Sequence, residues 1–188
     1  MRIGIYPGSF NPVHKGHIQI AKSSVKQDLV DEVLIVPTGS YWNKNDLVDL
    51  NHRINMLKLF ESDTLKIETE FNITNSTYEL FELLKNRFID DELYLILGGD
   101  NLLKFENWIE YRKMLEYPFV VVKRDEYDES FIIRRMEELN KENYFILDID
   151  NLEDSSSEIR ESISNNSDSD YLDDRVYEYI KDNNLYEY

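Results

Sequence analysis

The chain contains no cysteine, and it has only 6 glycines, 4 prolines and 2 tryptophans among its 188 residues. Without cysteine it can have no disulfide framework, no thiolate metal site and no thiol nucleophile. Long apolar runs are missing too: none approaches the roughly 20 residues that a membrane-spanning helix needs. The apolar stretch at residues 1–6 is too short for a signal peptide. We therefore expect a cytoplasmic protein that does not interact with membranes.

Positive charge is also scarce, since 21 Lys and Arg face 38 Asp and Glu, for a net charge of -17. Proteins that bind a nucleic-acid backbone normally carry a basic face, so we expect no nucleic-acid partner. The charge does not exclude a small phosphorylated ligand, which responds to a few local donors. The acidic excess is largest at residues 148–188, where thirteen acids face three cations. We interpret that segment as a solvated acidic surface.

The length suits one domain, which we expect to span residues 1–188. Apolar runs that predict strands alternate with helical patterns. The predicted strands are 2–6, 32–36, 65–68, 93–97, 119–122 and 144–147, and the predicted helices are 18–25, 53–60, 78–88, 108–115, 131–139 and 173–181. This alternation predicts an α/β fold, a doubly wound, Rossmann-like parallel sheet with helices on both faces and a small C-terminal helical segment. Ligands of such sheets bind beyond the carboxyl ends of the strands, where the strand order reverses.

The loop after the first predicted strand has the composition of a phosphate-binding loop. Residues 7–17 read Pro-Gly-Ser-Phe-Asn-Pro-Val-His-Lys-Gly-His and lead into a helical pattern. Gly8 and Ser9 allow the backbone to approach a phosphate closely. Gly16 removes side-chain bulk at a helix start, where backbone N–H groups and the helix dipole favour an anion.

Two histidines, His14 and His17, are spaced to face the same bound group. A zinc site would be an alternative interpretation of this pair. Zinc needs at least a third protein ligand, and His52 is the only other histidine in the chain. We therefore expect no protein-held metal at the pair.

Residues 8–17 resemble the signature of the HxGH nucleotidyltransferases, and more closely the G-[TS]-F-D-P-x-H-x-G-H form of bacterial nicotinate-nucleotide adenylyltransferases. The resemblance implies that His14 and His17 contact the ATP phosphates and that His17 stabilises the reacting α-phosphate. Asn11 stands where the family has Asp, and we expect it to contact the substrate. The other residues that the signature assigns to the ATP site are Gly8, Ser9, Phe10, Lys15 and Gly16.

Lys44 stands seven residues after Pro37, like the lysine of the family's P-x-x-x-P-P-H-K motif. The resemblance implies that Lys44 neutralises phosphate oxygens during catalysis. Residues 41–43, Tyr-Trp-Asn, replace Pro-Pro-His, so the loop before the lysine differs from the family pattern.

Gly98-Gly99-Asp100 follows the fourth predicted strand, and Trp108 comes eight residues after Asp100. The family has G-x-D and a tryptophan at this spacing. The resemblance implies that Gly98 and Asp100 bind the nucleotide and that Trp108 stacks on a pyridine ring. The alternative for the tryptophan is a place in the core.

Ser155-Ser156-Ser157-Glu158-Ile159-Arg160 resembles the family's I-S-S-T-x-I-R. Serines at a helix start act as N-caps, and the same geometry binds an anion. The resemblance implies that the three serines bind ATP and that Arg160 is a catalytic residue that reaches its β- or γ-phosphate.

Residues 74–80, Thr-Asn-Ser-Thr-Tyr-Glu-Leu, take the place of the family's S-Y-T-x-D-T-L stretch, which selects nicotinate mononucleotide. Ser76 and Thr77 are the expected acceptor-binding residues. Tyr78 and Glu79 depart from the pattern, so nicotinamide mononucleotide remains an alternative acceptor.

The resemblance implies an adenylyltransferase that joins ATP to nicotinate mononucleotide, with Mg²⁺ bridging the polyphosphate. Three alternatives stay open: a phosphopantetheine adenylyltransferase, a cytidylyltransferase and a non-catalytic nucleotide-binding paralogue. The first typically has Thr in place of His14, and the second carries an R-T-x-G-x-S-T stretch that is absent here. A homo-oligomer is possible in each case.

Overall fold

The computed structural model describes residues 1–39, 47–124, 126–149, 156–165 and 170–186. Its strands are β1 (Arg2–Gly8), β2 (Glu32–Pro37), β3 (Leu65–Ile67), β4 (Glu92–Gly98), β5 (Phe119–Val122) and β6 (Tyr144–Leu147). Its α-helices are α1 (Lys15–Lys26), α2 (Leu50–Lys58), α3 (Thr77–Arg87), α4 (Gly99–Leu103), α5 (Tyr111–Met114), α6 (Glu129–Glu138), α7 (Ser156–Ser164) and α8 (Asp174–Asp182), with a 3-10 helix at Phe105–Asn107.

The six strands form one parallel sheet in the order β3-β2-β1-β4-β5-β6. The strand order therefore reverses between β1 and β4, which are hydrogen-bonded neighbours. This arrangement confirms the predicted doubly wound, Rossmann-like fold. It also places the loops after β1 and β4 side by side at the carboxyl edge, where ligands of such sheets bind.

Each face of the sheet is covered by its own apolar layer, because the side chains of a strand alternate between faces. Tyr6 of β1 and Val33 of β2 face the layer formed by α1, α2, α7 and α8. Ile3 and Ile5 of β1 face the layer formed by α3, α4, α5 and α6. The C-terminal helices α7 and α8 thus pack on the same side as α1, whose N-terminus carries the histidine motif.

One predicted helix, residues 108–115, is wrong in its first half. Trp108 has extended backbone (ψ 141°), and Glu110 has a φ of 57°. A residue in this left-handed region cannot continue a right-handed helix, so α5 covers only Tyr111–Met114. The helix-like spacing of apolar residues instead reflects packing onto Phe105, whose ring centroid lies 5.1 Å from that of Trp108.

Within the described residues, no helix is both long enough and apolar enough to cross a membrane.

Candidate active site

The β1–α1 loop, residues 9–14, is built on a buried aromatic ring. Phe10 has a φ of 46° and is 1 % exposed, and a Cβ placed on Gly8 would lie 3.0 Å from its Cζ atom. The Phe10 ring packs edge-on against Tyr6 (5.4 Å between centroids) and against His17 (4.8 Å). Phe10 therefore supports the imidazole of His17 through this edge-on contact. Because the Phe10 ring is inaccessible, any ligand contact of this residue must come from its backbone.

His14 and His17 lie together at the start of α1. Their rings stack with centroids 3.7 Å apart and an interplanar angle of 29°. The His14 backbone N–H donates a hydrogen bond to Nδ1 of His17 (3.3 Å). Since a backbone N–H can only donate, Nδ1 of His17 must accept, and a neutral His17 therefore carries its proton on Nε2.

Both imidazoles have lowered pKa values. Burial, and then the positive charge of Arg124, lowers the pKa of His14 to about 4. Burial lowers the pKa of His17 well below its usual value, and His14 and Arg124 add to the effect. Both rings are therefore neutral at pH 7 in the free protein, and each can still donate one N–H hydrogen bond to a phosphate oxygen.

Arg124 lies near the two histidines and was not among the residues predicted from the sequence. It lies just past the end of β5, and its charge acts on His14, His17 and the buried hydroxyl of Tyr6. The negative charge of Asp100 also acts on Tyr6, so Asp100 belongs to the same group. The sequence signal that could have indicated Arg124 is its position two residues after β5, at the ligand-binding edge of the sheet.

Arg160 joins α7 to the histidine loop. Its Nη1 atom donates to the backbone carbonyl of Asn11 (2.7 Å), and its Nη2 atom donates to the hydroxyl of Ser157 (3.2 Å). Residues 149 positions apart in sequence are thereby brought together. Ser155 lies outside the described residues, and Ser156 begins α7.

Asn11 holds the loop in place through its side chain. Its Oδ1 atom accepts hydrogen bonds from the backbone N–H of Val48 (3.1 Å) and from the hydroxyl of Tyr186 (2.8 Å). Asn11 is 3 % exposed. The side chain therefore links the β1–α1 loop to the approach to α2 and to the C-terminal segment, a structural role that the sequence did not indicate.

Arg53 of α2 is a second buried anchor that sequence reasoning missed. Its Nη1 atom donates to the carbonyls of Ser9 (2.8 Å) and Thr38 (2.7 Å), and its Nε atom donates to the carbonyl of Val48 (2.9 Å). Burial lowers its pKa. The guanidinium thus fixes three chain segments around the carboxyl ends of β1 and β2.

Of the two lysines expected at the phosphates, one lies within the described residues. Lys15 is exposed; its Nζ atom donates to the carbonyl of Asp170 (2.6 Å) and its backbone N–H to the carbonyl of Tyr171 (2.9 Å). These bonds tie the start of α1 to the segment before α8. Lys44 lies outside the described residues. Gly16 is buried within the first turn of α1.

The other residues expected to bind the nucleotide and the acceptor belong to elements on the face of the sheet opposite α1. Gly98 is the N-cap of α4, and Asp100 is exposed in its first turn. Trp108 is partly buried and follows the 3-10 helix. Ser76 caps α3, with its hydroxyl accepting from the backbone N–H of Glu79 (3.1 Å), and Thr77 is the first residue of that helix.

Among the described residues, no group of three or more His, Asp or Glu side chains is placed to hold a metal ion. His52, the remaining histidine, instead pairs through Nδ1 with the hydroxyl of Tyr179 (2.9 Å) and joins α2 to α8.

Residues 5–162 match the family described as Cytidylyltransferase-like. The chain is 32 % identical over 191 residues to a protein of Acholeplasma laidlawii (strain PG-8A), covering 97 % of this chain and 96 % of that one. It is 35 % identical over 193 residues to a protein of Borrelia hermsii (strain HS1 / DAH), with 99 % and 98 % covered. Both are named "Probable nicotinate-nucleotide adenylyltransferase". The chain belongs to the nicotinate-nucleotide adenylyltransferases of the cytidylyltransferase-like family.

A solved structure agrees on the fold. The nicotinic acid mononucleotide adenylyltransferase of Plasmodium falciparum, complexed with NaAD, superposes with a TM-score of 0.83 at 22 % identity, covering 98 % of this chain and 97 % of that one. The resemblance inferred from residues 8–17 is therefore confirmed. In this nicotinate-nucleotide adenylyltransferase, the sheet edge gathers two neutral imidazoles, Arg124 and Arg160 around one loop.

Proposed function

We propose that the chain transfers the adenylyl group of ATP to nicotinate mononucleotide, giving nicotinate adenine dinucleotide and pyrophosphate. An oxygen of the acceptor's phosphate attacks the α-phosphorus of ATP. The bond between the α-phosphorus and the bridging oxygen to the β-phosphorus breaks, and pyrophosphate leaves with that oxygen. No protein nucleophile is needed, so the protein contributes positioning and stabilisation of charge.

The observation that carries the proposal is the stacked pair of His14 and His17 at the carboxyl end of β1. We assign the Nε2–H of His17 to an oxygen of the α-phosphate, because its Nδ1 atom is already an acceptor. We assign His14 and Arg124 to neighbouring phosphate oxygens. Arg160, which already bonds the β1–α1 loop, is assigned to the leaving pyrophosphate. Lys44 keeps its predicted role as a further cation at the phosphates.

The neutral state of the two histidines is consistent with this assignment. Two imidazolium ions 3.7 Å apart would repel each other and Arg124 before the substrate arrives. Neutral rings avoid this cost and still offer N–H donors. A bound triphosphate brings several negative charges and favours protonation of the rings, so the electrostatic stabilisation grows when it is needed.

Mg²⁺ is expected to accompany ATP. Mg²⁺ usually binds through one or two carboxylates together with substrate phosphates, rather than in a cage made only of protein groups. The exposed carboxylate of Asp100, beside the group around Tyr6, has the hard oxygen donors that this ion prefers. When bound with ATP, the ion would supply charge neutralisation. We further propose that the enzyme works in the cytoplasm, where ATP is available.

We assign the acceptor to the region between α3 and Trp108. Helix α3 contacts α5, which begins three residues after Trp108: Nζ of Lys113 in α5 lies 5.0 Å from the ring centroid of Tyr78 in α3. The hydroxyl of Ser76 accepts from Glu79 and can still donate to a carboxylate. The N-terminus of an eleven-residue helix also favours an anion. Trp108 would stack on the pyridine ring.

The test is pyrophosphate release from ATP and Mg²⁺ with nicotinate mononucleotide, nicotinamide mononucleotide or phosphopantetheine as acceptor. We expect the highest kcat/KM with nicotinate mononucleotide. Release with phosphopantetheine alone would overturn the assigned acceptor, and release with none would indicate a non-catalytic nucleotide-binding protein.

His17→Ala tests the assigned centre. Loss of one oxyanion donor typically costs a factor of about 100 in kcat, and we expect at least that loss here. Gln19→Ala is the matched control, because Gln19 is exposed two residues further along α1. A His17→Ala enzyme with a kcat near that of wild type would show that the reaction centre lies elsewhere.

A further inference from the structure

Arg124 and Tyr127 pair through their backbones, with a turn at Glu126. The backbone N–H of Tyr127 donates to the carbonyl of Arg124 (2.9 Å), and the N–H of Arg124 donates to the carbonyl of Tyr127 (3.2 Å). Lys123 joins the end of β5 to Arg124, and its backbone N–H donates to the carbonyl of Leu147 at the end of β6 (3.0 Å). Two reciprocal bonds therefore fix the position of the Arg124 backbone relative to Tyr127.

The turn rests on the loop after β4. Gly99 is buried at the start of α4, and a Cβ placed on it would lie only 2.2 Å from both Cβ and Cγ of Tyr127. Real Cβ atoms do not approach other atoms so closely, so Tyr127 fits only because residue 99 has no side chain. The contact is beside Asp100, the next residue of α4.

We propose that Tyr127, packed on Gly99, holds its backbone partner Arg124 at the start of α4 and thereby positions the guanidinium of Arg124 for its action on His14 and His17. Tyr127 and Gly99 are positioning residues in this account, because they act through Arg124. The inference rests on the proposed function for its catalytic consequence. Its structural part concerns the free protein and can be tested without turnover.

The charge that the turn delivers has a measurable effect on the imidazoles. Arg124 is the cation whose charge acts on both imidazoles. The Tyr6 ring of β1 lies 6.4 Å from that of His17, and the charges of Arg124 and Asp100 both act on its hydroxyl. Arg160 of α7 bonds the carbonyl of Asn11 in the same loop. Burial is the largest cause of the lowered pKa of both histidines. The charge of Arg124 is the next cause for His14, and it follows the effect of His14 for His17. Moving its guanidinium away should therefore raise the pKa of His14.

The experiment compares Gly99→Ala with Gly39→Ala in the full chain. A Cβ on Gly39 meets no atom within 4 Å, so this control adds the same methyl group in open space. We expect Gly99→Ala to lower kcat by about a hundredfold, the effect of misplacing a catalytic group by about 1 Å. We also expect it to raise the pKa of His14, measured by NMR titration of the free protein. Gly39→Ala should change neither quantity.

A double-mutant cycle with Arg124→Gln separates positioning from general damage. If Gly99 acts through Arg124, adding Gly99→Ala to Arg124→Gln should cause little further loss of kcat and little further change in the pKa of His14. An equal loss of kcat in both backgrounds, or an unchanged pKa of His14 in Gly99→Ala, would overturn the inference.

Tyr127→Ala provides a second route should Gly99→Ala not fold, as judged by circular dichroism. It removes the ring without adding a clash, and we expect changes in the same direction. An unchanged pKa of His14 in Tyr127→Ala would also overturn the inference. A wild-type chain that releases no pyrophosphate would refute the proposed function alone, because the NMR titration still reports where Arg124 lies.

Discussion

The buried guanidinium of Arg53 provides a quantitative test of how the site is held together. Arg53→Ala removes a side chain that is 3 % exposed and leaves the carbonyls of Ser9, Thr38 and Val48 without their donor. The bond to Thr38 is fully buried, and hydrogen bonds to charged groups contribute about 1.5–3 kcal/mol. The other two are partly buried, and we count about 1 kcal/mol for each. Relief of the desolvation of Arg53 offsets part of this loss, leaving about 3 kcal/mol.

A loss of this size is a large share of the 5–15 kcal/mol that typically stabilises a domain. It is measured by urea denaturation followed by circular dichroism. With an m-value of about 2 kcal/mol/M, the midpoint should fall by roughly 1.5 M. Arg53→Lys should lose most of the same stability, because a single ammonium cannot bond three separate carbonyls in the directions that the guanidinium reaches.

Lys58→Ala is the matched control, since Lys58 is exposed at the end of the same helix. Exposed substitutions of this kind usually change stability by less than about 0.5 kcal/mol. If Arg53→Ala denatured within about 0.3 M urea of wild type at an unchanged m-value, the three carbonyls would be satisfied in another way, and our account of the anchor would be wrong.

Two further predictions concern pH and the acceptor. The pKa of His14 is about 4 in the folded chain, below the ordinary value of 6.5. When the pH falls below 6.5, His14 therefore binds a proton in the unfolded chain but not in the folded chain. The unfolding free energy should therefore drop by about 2 kcal/mol between pH 6.5 and about 5 from His14 alone, and denaturation of His14→Asn should show a shallower pH dependence. Trp108→Ala should raise the KM for nicotinate mononucleotide at least about fivefold and leave the KM for ATP nearly unchanged, since stacking contributes about 1–3 kcal/mol. An equal rise in both KM values would contradict the assigned acceptor position.

The sequence predicted the parts of the site that depend on neighbouring residues. His14 and His17 lie three apart at a helix start, and their stacking follows from local geometry once α1 forms. The predicted strand bounds agree with β2, β4 and β5 to within one residue, because buried parallel strands produce uninterrupted apolar runs. Arg160 was also predicted as a candidate, because the serines before it form a motif of their own, and its catalytic role stays a prediction.

Sequence reasoning missed the residues whose roles depend on distant contacts. Arg53 follows His52 in an ordinary amphipathic helix, and nothing local indicates that it bonds carbonyls 15 and 44 residues away. Tyr186 bonds Asn11 across 175 residues. The helix predicted at residues 108–115 was wrong in its first half for a similar reason. The spacing of the apolar residues reflects their packing on Phe105, but the left-handed backbone of Glu110 prevents a helix from forming before Tyr111.

The site also explains how a chain with a net charge of -17 can bind a triphosphate. The charge of Arg124 acts on the two histidines, and Arg160 bonds the histidine loop, while Arg53 is occupied by backbone carbonyls and contributes structure. The acids of the surface are solvated and screened over about 8–10 Å at physiological ionic strength, whereas partly buried cations act on the ligand at short range. Added salt should therefore weaken ATP binding less than it would in a protein that relies on an exposed basic face. Burial of the two imidazoles, together with the charge of Arg124, keeps both histidines neutral until a phosphate arrives.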